Sequence, residues 1–261
     1  MASISFLGTG SGIPSAERYF TSMLLLLEGK HLLIDAGEPC VHLLRDRGDL
    51  VSTLDAVLIT HGHVDHIGGL PALLQGAMLL GRSRPLTIYL PCEMIDPIRA
   101  WIRALYLTEG GLGFPLDWQG WKDHEEVDLG DGISVTPYSN DHLISCYRSL
   151  PGAESSRQCH AYSLVITSGE FRAIFSGDLS AASDLSPLLT LPINVLVSEL
   201  SHFDAKELAG VLEGADLHAL CLVHLSGEYA DERSQLQEHM EELLPHVSDV
   251  IIPEDGEVLD F

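Results

Sequence analysis

The chain has 261 residues, 46% hydrophobic and 20% charged, which is ordinary globular usage and excludes a disordered chain or a coiled coil. Fourteen Lys+Arg against 38 Asp+Glu leave a formal charge of −24, a field that repels nucleic acid and anionic membrane surfaces. The longest unbroken aliphatic run, Met23 to Leu27, is far too short for a bilayer span, so no membrane partner is expected.

The N-terminus, Met1 to Phe6, lacks the basic stretch and long apolar core of a secretory leader. Five cysteines at irregular spacing make no disulfide framework, and a cytoplasmic, reducing setting is the simplest expectation. In that setting a Cys146–Cys159 bridge is disfavoured.

Short apolar segments read as strands in chain order at Ile4–Leu7, Met23–Leu27, His31–Ile34, Ala56–Ile59, Leu86–Leu90 and Ile133–Pro137. More follow at Tyr162–Thr167, Phe171–Phe175, Asn194–Val197, Leu220–His224 and Val250–Ile252. Helical patterns lie between them at Val41–Arg47, Leu70–Leu80, Ile95–Leu107, Asp204–Leu212 and Asp231–Leu244. In the last, Leu236, Met240, Leu243 and Leu244 fall at helical spacing, as a core face does. Ser145–Gln158, rich in Ser with Pro151 and Gly152, reads as a loop. Strand–helix alternation predicts an α/β sandwich. With no linker, charge block or short repeat, one compact domain over residues 1–261 is expected, built from two similar halves.

The sharpest signal is Thr60-His61-Gly62-His63-Val64-Asp65-His66, directly after the apolar strand Ala56–Ile59. Three imidazoles and a carboxylate crowded at a strand end cost desolvation unless a cation binds among them. Borderline divalent metals take nitrogen and carboxylate oxygen ligands. On a strand-to-helix turn His61 and His63 are expected to face one side and Asp65 and His66 another, so two adjacent ions fit better than one. Asp35, His142, Asp178 and His224 repeat the topography, each at or just after a predicted strand end. Ligands of α/β sheets bind at strand ends.

This set, His61-x-His63-x-Asp65-His66 followed by His142, Asp178 and His224, resembles the metallo-β-lactamase superfamily. Phe6-Leu7-Gly8-Thr9-Gly10-Ser11-Gly12-Ile13-Pro14 with Arg18, Leu33-Ile34-Asp35-Ala36-Gly37-Glu38 and Gly68-Gly69-Leu70-Pro71 are similar to motifs of the ribonuclease Z-like group. The resemblance implies a four-layer αβ/βα sandwich and two divalent metal ions. Zinc is the expected metal; manganese or iron suit such a ligand set nearly as well. His61, His63 and His142 would hold one ion, Asp65, His66 and His224 the other, and Asp178 would bridge. Asp35 would orient a ligand. Asp178 where some β-lactamases carry Cys argues against that activity, and His63 argues against the redox di-iron branch, which resembles H-x-E-x-D-H. His202 is similar to the group's leaving-group histidine and Glu199 to its partner carboxylate, at a compressed spacing.

The same resemblance stops short of tRNA recognition. His142 and Asp178 are separated by 35 intervening residues, with no room for a clamping arm, and Glu228 stands where Arg is expected in Val223-His224-Leu225-Ser226-Gly227-Glu228-Tyr229. The expected activity is hydrolysis, by a metal-bridging hydroxide, of a small or medium phosphodiester or related ester. Asp65, His202, Glu199 and Asp35 are its catalytic residues. The expected partner is a small-molecule ester; a second copy of the chain, as a homodimer, is also admitted. Two alternatives stand beside it: a ribonuclease Z-type tRNA 3′-processing endoribonuclease, and a non-catalytic metal-binding interaction module.

Overall fold

A computed structural model of the protein describes residues 2–13, 16–144, 159–225, 229 and 233–261. The predicted loop Ser145–Gln158, with Cys146, Arg148 and Arg157, lies outside the described residues, as does Glu228. Cys159 is a free thiol. The chain forms two compact units, Met1–Lys122 with Glu254–Asp260, and Asp123–Pro253 with Phe261.

In the first unit β1 (Ala2–Gly8), β2 (Ser22–Leu27) and β3 (Lys30–Ile34) form an antiparallel meander. Glu28 and Gly29 link β2 to β3 with positive φ at both positions, the requirement of a tight hairpin whose twist matches its strands. From β3 the sheet continues in parallel through β4 (Ala56–Leu58), β5 (Leu86–Pro91) and β6 (Leu116–Trp121). The last strand of the chain, β14 (Val258–Asp260), pairs antiparallel with the outer edge of β1.

Helices α1 (Cys40–Asp46), α3 (Leu70–Leu79) and α4 (Ile95–Ala104) lie between these strands, with the single turn α2 (Val64–Ile67) before α3. Leu70, Leu73, Leu74 and Ala77 fall on one helical stripe and are buried in a cluster with Leu44, Ile98, Leu33, Val57 and Ile88. Central strands buried on both faces read as unbroken apolar runs, which is why β2, β3 and β4 were legible. The strand β6 was not: Leu116-Asp117-Trp118-Gln119-Gly120-Trp121 alternates at a sheet edge and carries a Gly.

One cation is buried in this unit. Arg82 is 4% exposed, and its guanidinium donates to the carbonyls of Arg84, Val51, Ser52, Leu54 and Pro85 at 2.6–3.3 Å. It also stacks over Phe114 at 5.6 Å. Burial, and then Arg84, lower its pKa from the ordinary guanidinium value. Arg82→Met should leave several of these carbonyls unsatisfied and cost about 3 kcal/mol. That corresponds to a drop in Tm of roughly 6–12 °C for a chain this long. An unchanged thermal unfolding curve would refute the role.

The second unit repeats the plan. β7 (Val127–Gly130), β8 (Ile133–Asn140), β9 (Ala161–Ser168) and β10 (Phe171–Phe175) are antiparallel neighbours. From β10 the sheet runs in parallel through β11 (Ile193–Leu200), β12 (Leu217–Leu225) and β13 (Asp249–Ile251). Helices α5 (Ala205–Leu212) and α6 (Arg233–Leu243) join these parallel strands. α5 starts at a reciprocal cap: Asp204 accepts from the Lys206 and Glu207 amides, and Glu207 accepts from the Asp204 amide. Leu236, Met240 and Leu244 are buried against this sheet's core, as their spacing predicts. Each unit is thus half antiparallel meander, half parallel α/β sheet, and each carries its candidate site residues at or near the ends of its strands.

Candidate metal centre

In the first unit the chain leaves β3 at Asp35 and β4 two residues before Thr60, and these neighbouring parallel strands bring the two side by side. Asp35 is buried with a φ of 56°, an unusual backbone for a side-chain-bearing residue, of the kind that clusters at functional sites. Its carboxylate accepts from the Thr60 amide at 2.8 Å and from the Thr60 hydroxyl at 2.9 and 3.1 Å. Asp35 Oδ2 also lies 2.7 Å from His66 Nδ1. A proton on Nδ1 facing that carboxylate leaves the His66 Nε2 lone pair available as a ligand.

His61 is buried beside them, with Nδ1 3.1 Å from the Thr60 hydroxyl. The His61 ring packs against both His63, at 4.7 Å between centroids, and His66, at 4.1 Å. Although the rings touch, His61 and His63 fall in one group of potential metal ligands and Asp65 and His66 in another, as the turn leads one to expect. α2 starts directly after His63, so Asp65 and His66 project from one helical turn. Asp65 Oδ2 lies 3.6 Å from His66 Nε2. A Cβ on Gly12 would sit 3.3 Å from that same Asp65 oxygen, which gives the glycine-rich segment after β1 a steric reason for a small residue there.

In the second unit Asp178 follows β10, Glu199 lies in β11, His224 lies near the end of β12 and His142 follows β8. His224 is the extra residue of a bulge: Val223 pairs with Glu199 and Leu225 with Leu200. It takes a φ of 50°. Bulges re-aim side chains beside active sites. Asp178 Oδ1 lies 3.5 Å from His224 Nε2, and Asp178 Oδ2 lies 3.5 Å from His142 Nε2. Each oxygen of one buried carboxylate thus faces a different imidazole.

These separations test the donor set. A hydrogen bond would draw nitrogen and oxygen to about 2.8 Å. Two ligands at tetrahedral angles about one ion, with bonds near 2.1 Å, stand about 3.4 Å apart. The pairs Asp65–His66, Asp178–His142 and Asp178–His224 all match the second figure. The residues fit divalent metal, with nitrogen and carboxylate oxygen donors and no thiolate. Cys40 is no competitor, since burial and then Glu38 push its thiol pKa far up and leave it a small core residue.

The expected Glu199–His202 pair also comes together. His202 Nδ1 lies 2.8 Å from both Glu199 oxygens, and the Glu199 carboxylate accepts from the amides of Leu179, Ser201 and His202. The His202 ring lies 4.6 Å from His142 and 5.9 Å from His224 between centroids, and its side chain is 34% exposed. Asp178, His202 and His224 offer ligand atoms within 4.8 Å of one another. His31, His42, His124, His218, His239 and His246 take no part in either cluster: they lie at or near the surface, and His246 bonds the Leu212 carbonyl.

Three residues were not foreseen. Asn140 donates to the Asp178 carbonyl at 3.0 Å and accepts from the His142 amide at 2.9 Å, tying two candidate ligands together. Thr60 and Ser201 each place a hydroxyl between a carboxylate and an imidazole. Only their adjacency to strand-end acids and histidines marked them in the sequence.

Comparison with known proteins agrees with this geometry. The chain is 26% identical to the ribonuclease Z of Natronomonas pharaonis over 99% of its own length and 97% of that protein. It is 32% identical to the ribonuclease Z of Limosilactobacillus fermentum over 72% of its own length, but spans only 60% of that relative. Among solved structures, the metallo-β-lactamase fold protein YhfI from Bacillus subtilis superposes with a TM-score of 0.77, at 19% identity, over 99% of this chain and 98% of that one. The fold is therefore that of the metallo-β-lactamases, as the strand-end motifs implied. The profile of one family, described as Anti-Pycsar protein Apyc1, matches residues 2–199. The chain belongs to that Apyc1 family, among the metal-dependent hydrolases of metallo-β-lactamase fold.

Proposed function

We propose that the protein is a dinuclear metal-dependent phosphodiesterase acting on a small substrate, with both units contributing to one catalytic domain. His61, His63 and His142 would hold one ion, Asp65, His66 and His224 the other, and Asp178 would serve both. The observation that carries this reading is Asp178 itself, whose two oxygens each stand at ligand spacing from a different histidine. A pair of divalent ions supplies a nucleophile at neutral pH and neutralises charge building on a phosphoryl group.

The chain's own residues do the rest. Asp35 holds the His66 ring, and Thr60 holds the His61 ring. Glu199 holds His202 through Nδ1, which leaves Nε2 as the atom that would deliver a proton to the departing alkoxide. Asn140 keeps His142 and Asp178 in register.

The small-substrate reading rests on charge and on length. A polyanion gains affinity by releasing counterions to Lys and Arg, and this chain has 14 such residues against 38 acids. The alignment with the Natronomonas ribonuclease Z runs over 307 positions against a chain of 261 residues, so more than forty positions of that relative have no counterpart here. A second reading, tRNA 3′-end processing, is favoured by the names of the relatives.

A substrate panel separates them. Metal-loaded protein should cleave bis(p-nitrophenyl) phosphate and nucleoside cyclic monophosphates. It should act weakly or not at all on thioesters, lactones, sulfate esters and precursor tRNA. Removing metal with chelator should abolish turnover, and zinc or manganese should restore it. Specific 3′ cleavage of precursor tRNA with tight, salt-sensitive binding would install the second reading instead.

A further inference from the structure

We propose that Ser201 is a positioning residue that fixes the His224 imidazole as a metal ligand and ties it to the Glu199–His202 pair, an assignment that rests on the metal-hydrolase reading above. The Ser201 hydroxyl lies 2.8 Å from His224 Nδ1, 3.0 Å from Glu199 Oε2 and 3.2 Å from His202 Nδ1. A hydroxyl has one proton to give and two lone pairs to receive with, whereas a carboxylate only accepts. Ser201 therefore gives its proton to Glu199. Toward His224 it can then only accept, which requires the proton of that ring to sit on Nδ1. The lone pair is left on Nε2, the atom 3.5 Å from Asp178 Oδ1.

Left to water, a neutral imidazole favours the opposite form, with the proton on Nε2, where it blocks ligation. Ser201 reverses that preference. The bulge and the left-handed backbone at His224 aim the ring, and Ser201 sets which of its nitrogens is free.

The first unit carries the same device independently. Thr60 gives its hydroxyl proton to Asp35 and accepts from His61 Nδ1 at 3.1 Å. In both units a buried carboxylate from one parallel strand orients a hydroxyl, and the hydroxyl orients a histidine after or near the end of the next strand. The repetition of carboxylate, hydroxyl and imidazole in unrelated local sequences, Asp35 with Thr60-His61 and Glu199-Leu200-Ser201 with His224, marks the arrangement as functional rather than a packing accident.

The test compares wild type, Ser201→Ala and Ser201→Thr in two measurements. In metal-free protein, two-dimensional ¹⁵N spectra of labelled histidine should report His224 with its proton on Nδ1 in wild type and Ser201→Thr. In Ser201→Ala it should shift toward the Nε2-protonated form. In chelator competition, Ser201→Ala should bind one of its two ions about 10–100-fold more weakly and keep the other at wild-type affinity. Ser201→Thr, which restores the hydroxyl, should recover both. If wild type binds two ions and Ser201→Ala binds them as tightly with the same His224 tautomer, the role of Ser201 is overturned while the metal reading stands. If wild type binds no divalent ion, both fall.

Discussion

Asp178→Ala is expected to lose metal and turnover together. Wild-type protein fully loaded should carry close to two ions per chain by elemental analysis. Because one carboxylate faces both His142 and His224 at 3.5 Å, its removal would, on the proposed assignment, take a ligand from each ion at once. Without the ions the nucleophile must come from water whose pKa is about 15.7 rather than about 7, so turnover should drop by more than about 10⁴-fold. The loop should survive, since Asn140 bonds the Asp178 carbonyl and not its side chain. Asp178→Asn, which keeps one good oxygen donor, should retain more metal than the alanine variant. Retention of both ions with full turnover in Asp178→Ala would show that this carboxylate serves neither.

His202→Ala should behave in the opposite way. The metal complement should be preserved, because Glu199 fixes His202 through Nδ1 and the proposed ligand set is complete without it. Turnover should fall by roughly 10²–10⁴-fold on substrates with an alkoxide leaving group and far less on nitrophenyl esters, whose leaving group needs no proton. A uniform loss across both classes would assign His202 to binding instead. Glu199→Gln is a poorer probe of the same step. Its buried carboxylate also accepts from the Leu179 and Ser201 amides, so that variant loosens the loop as well as the histidine.

The candidate ligands were legible because their chemistry conflicts with their position. Polar and ionisable residues at the ends of apolar strands cost desolvation, and Asp35, His61, Asp178 and His224 stand out against Ile34, Ile59, Phe175 and Val223. Central strands were legible for a related reason: burial on both faces removes polar residues from them. The edges were harder. β7 and β14 are three or four residues long and β6 is half polar, so nothing periodic announces them. The residues that orient the ligands were harder still. Thr60, Asn140 and Ser201 are types that occur in any loop, and their roles arise from partners 23 to 38 positions away, such as Asp178 for Asn140 and His224 for Ser201. The left-handed backbone at His224 belongs to a bulge, which no single-residue preference encodes.

The pairing of β14 with β1 has a consequence for how the molecule is made. The first unit is assembled from two stretches of chain, and the whole of Asp123–Pro253 is synthesised between them. At translation speeds of about 5–20 residues per second, the roughly 250 residues between β1 and β14 make the edge of β1 wait about 12–50 s for its neighbour. During that interval Ala2–Gly8 presents unpaired amides and carbonyls beside Ile4 and Phe6, a template for pairing with another nascent chain. Asp255 arrives in the same late stretch, and it accepts from the Thr9 amide and hydroxyl and from the Tyr19 amide. The glycine-rich segment that runs past Asp65 is therefore held both by its own neighbourhood, through Gly10 to Tyr19 and Thr21 to Gly10, and by Asp255, which is translated much later. Asp123–Pro253 of the second unit is one continuous stretch and has no comparable wait for a distant partner strand.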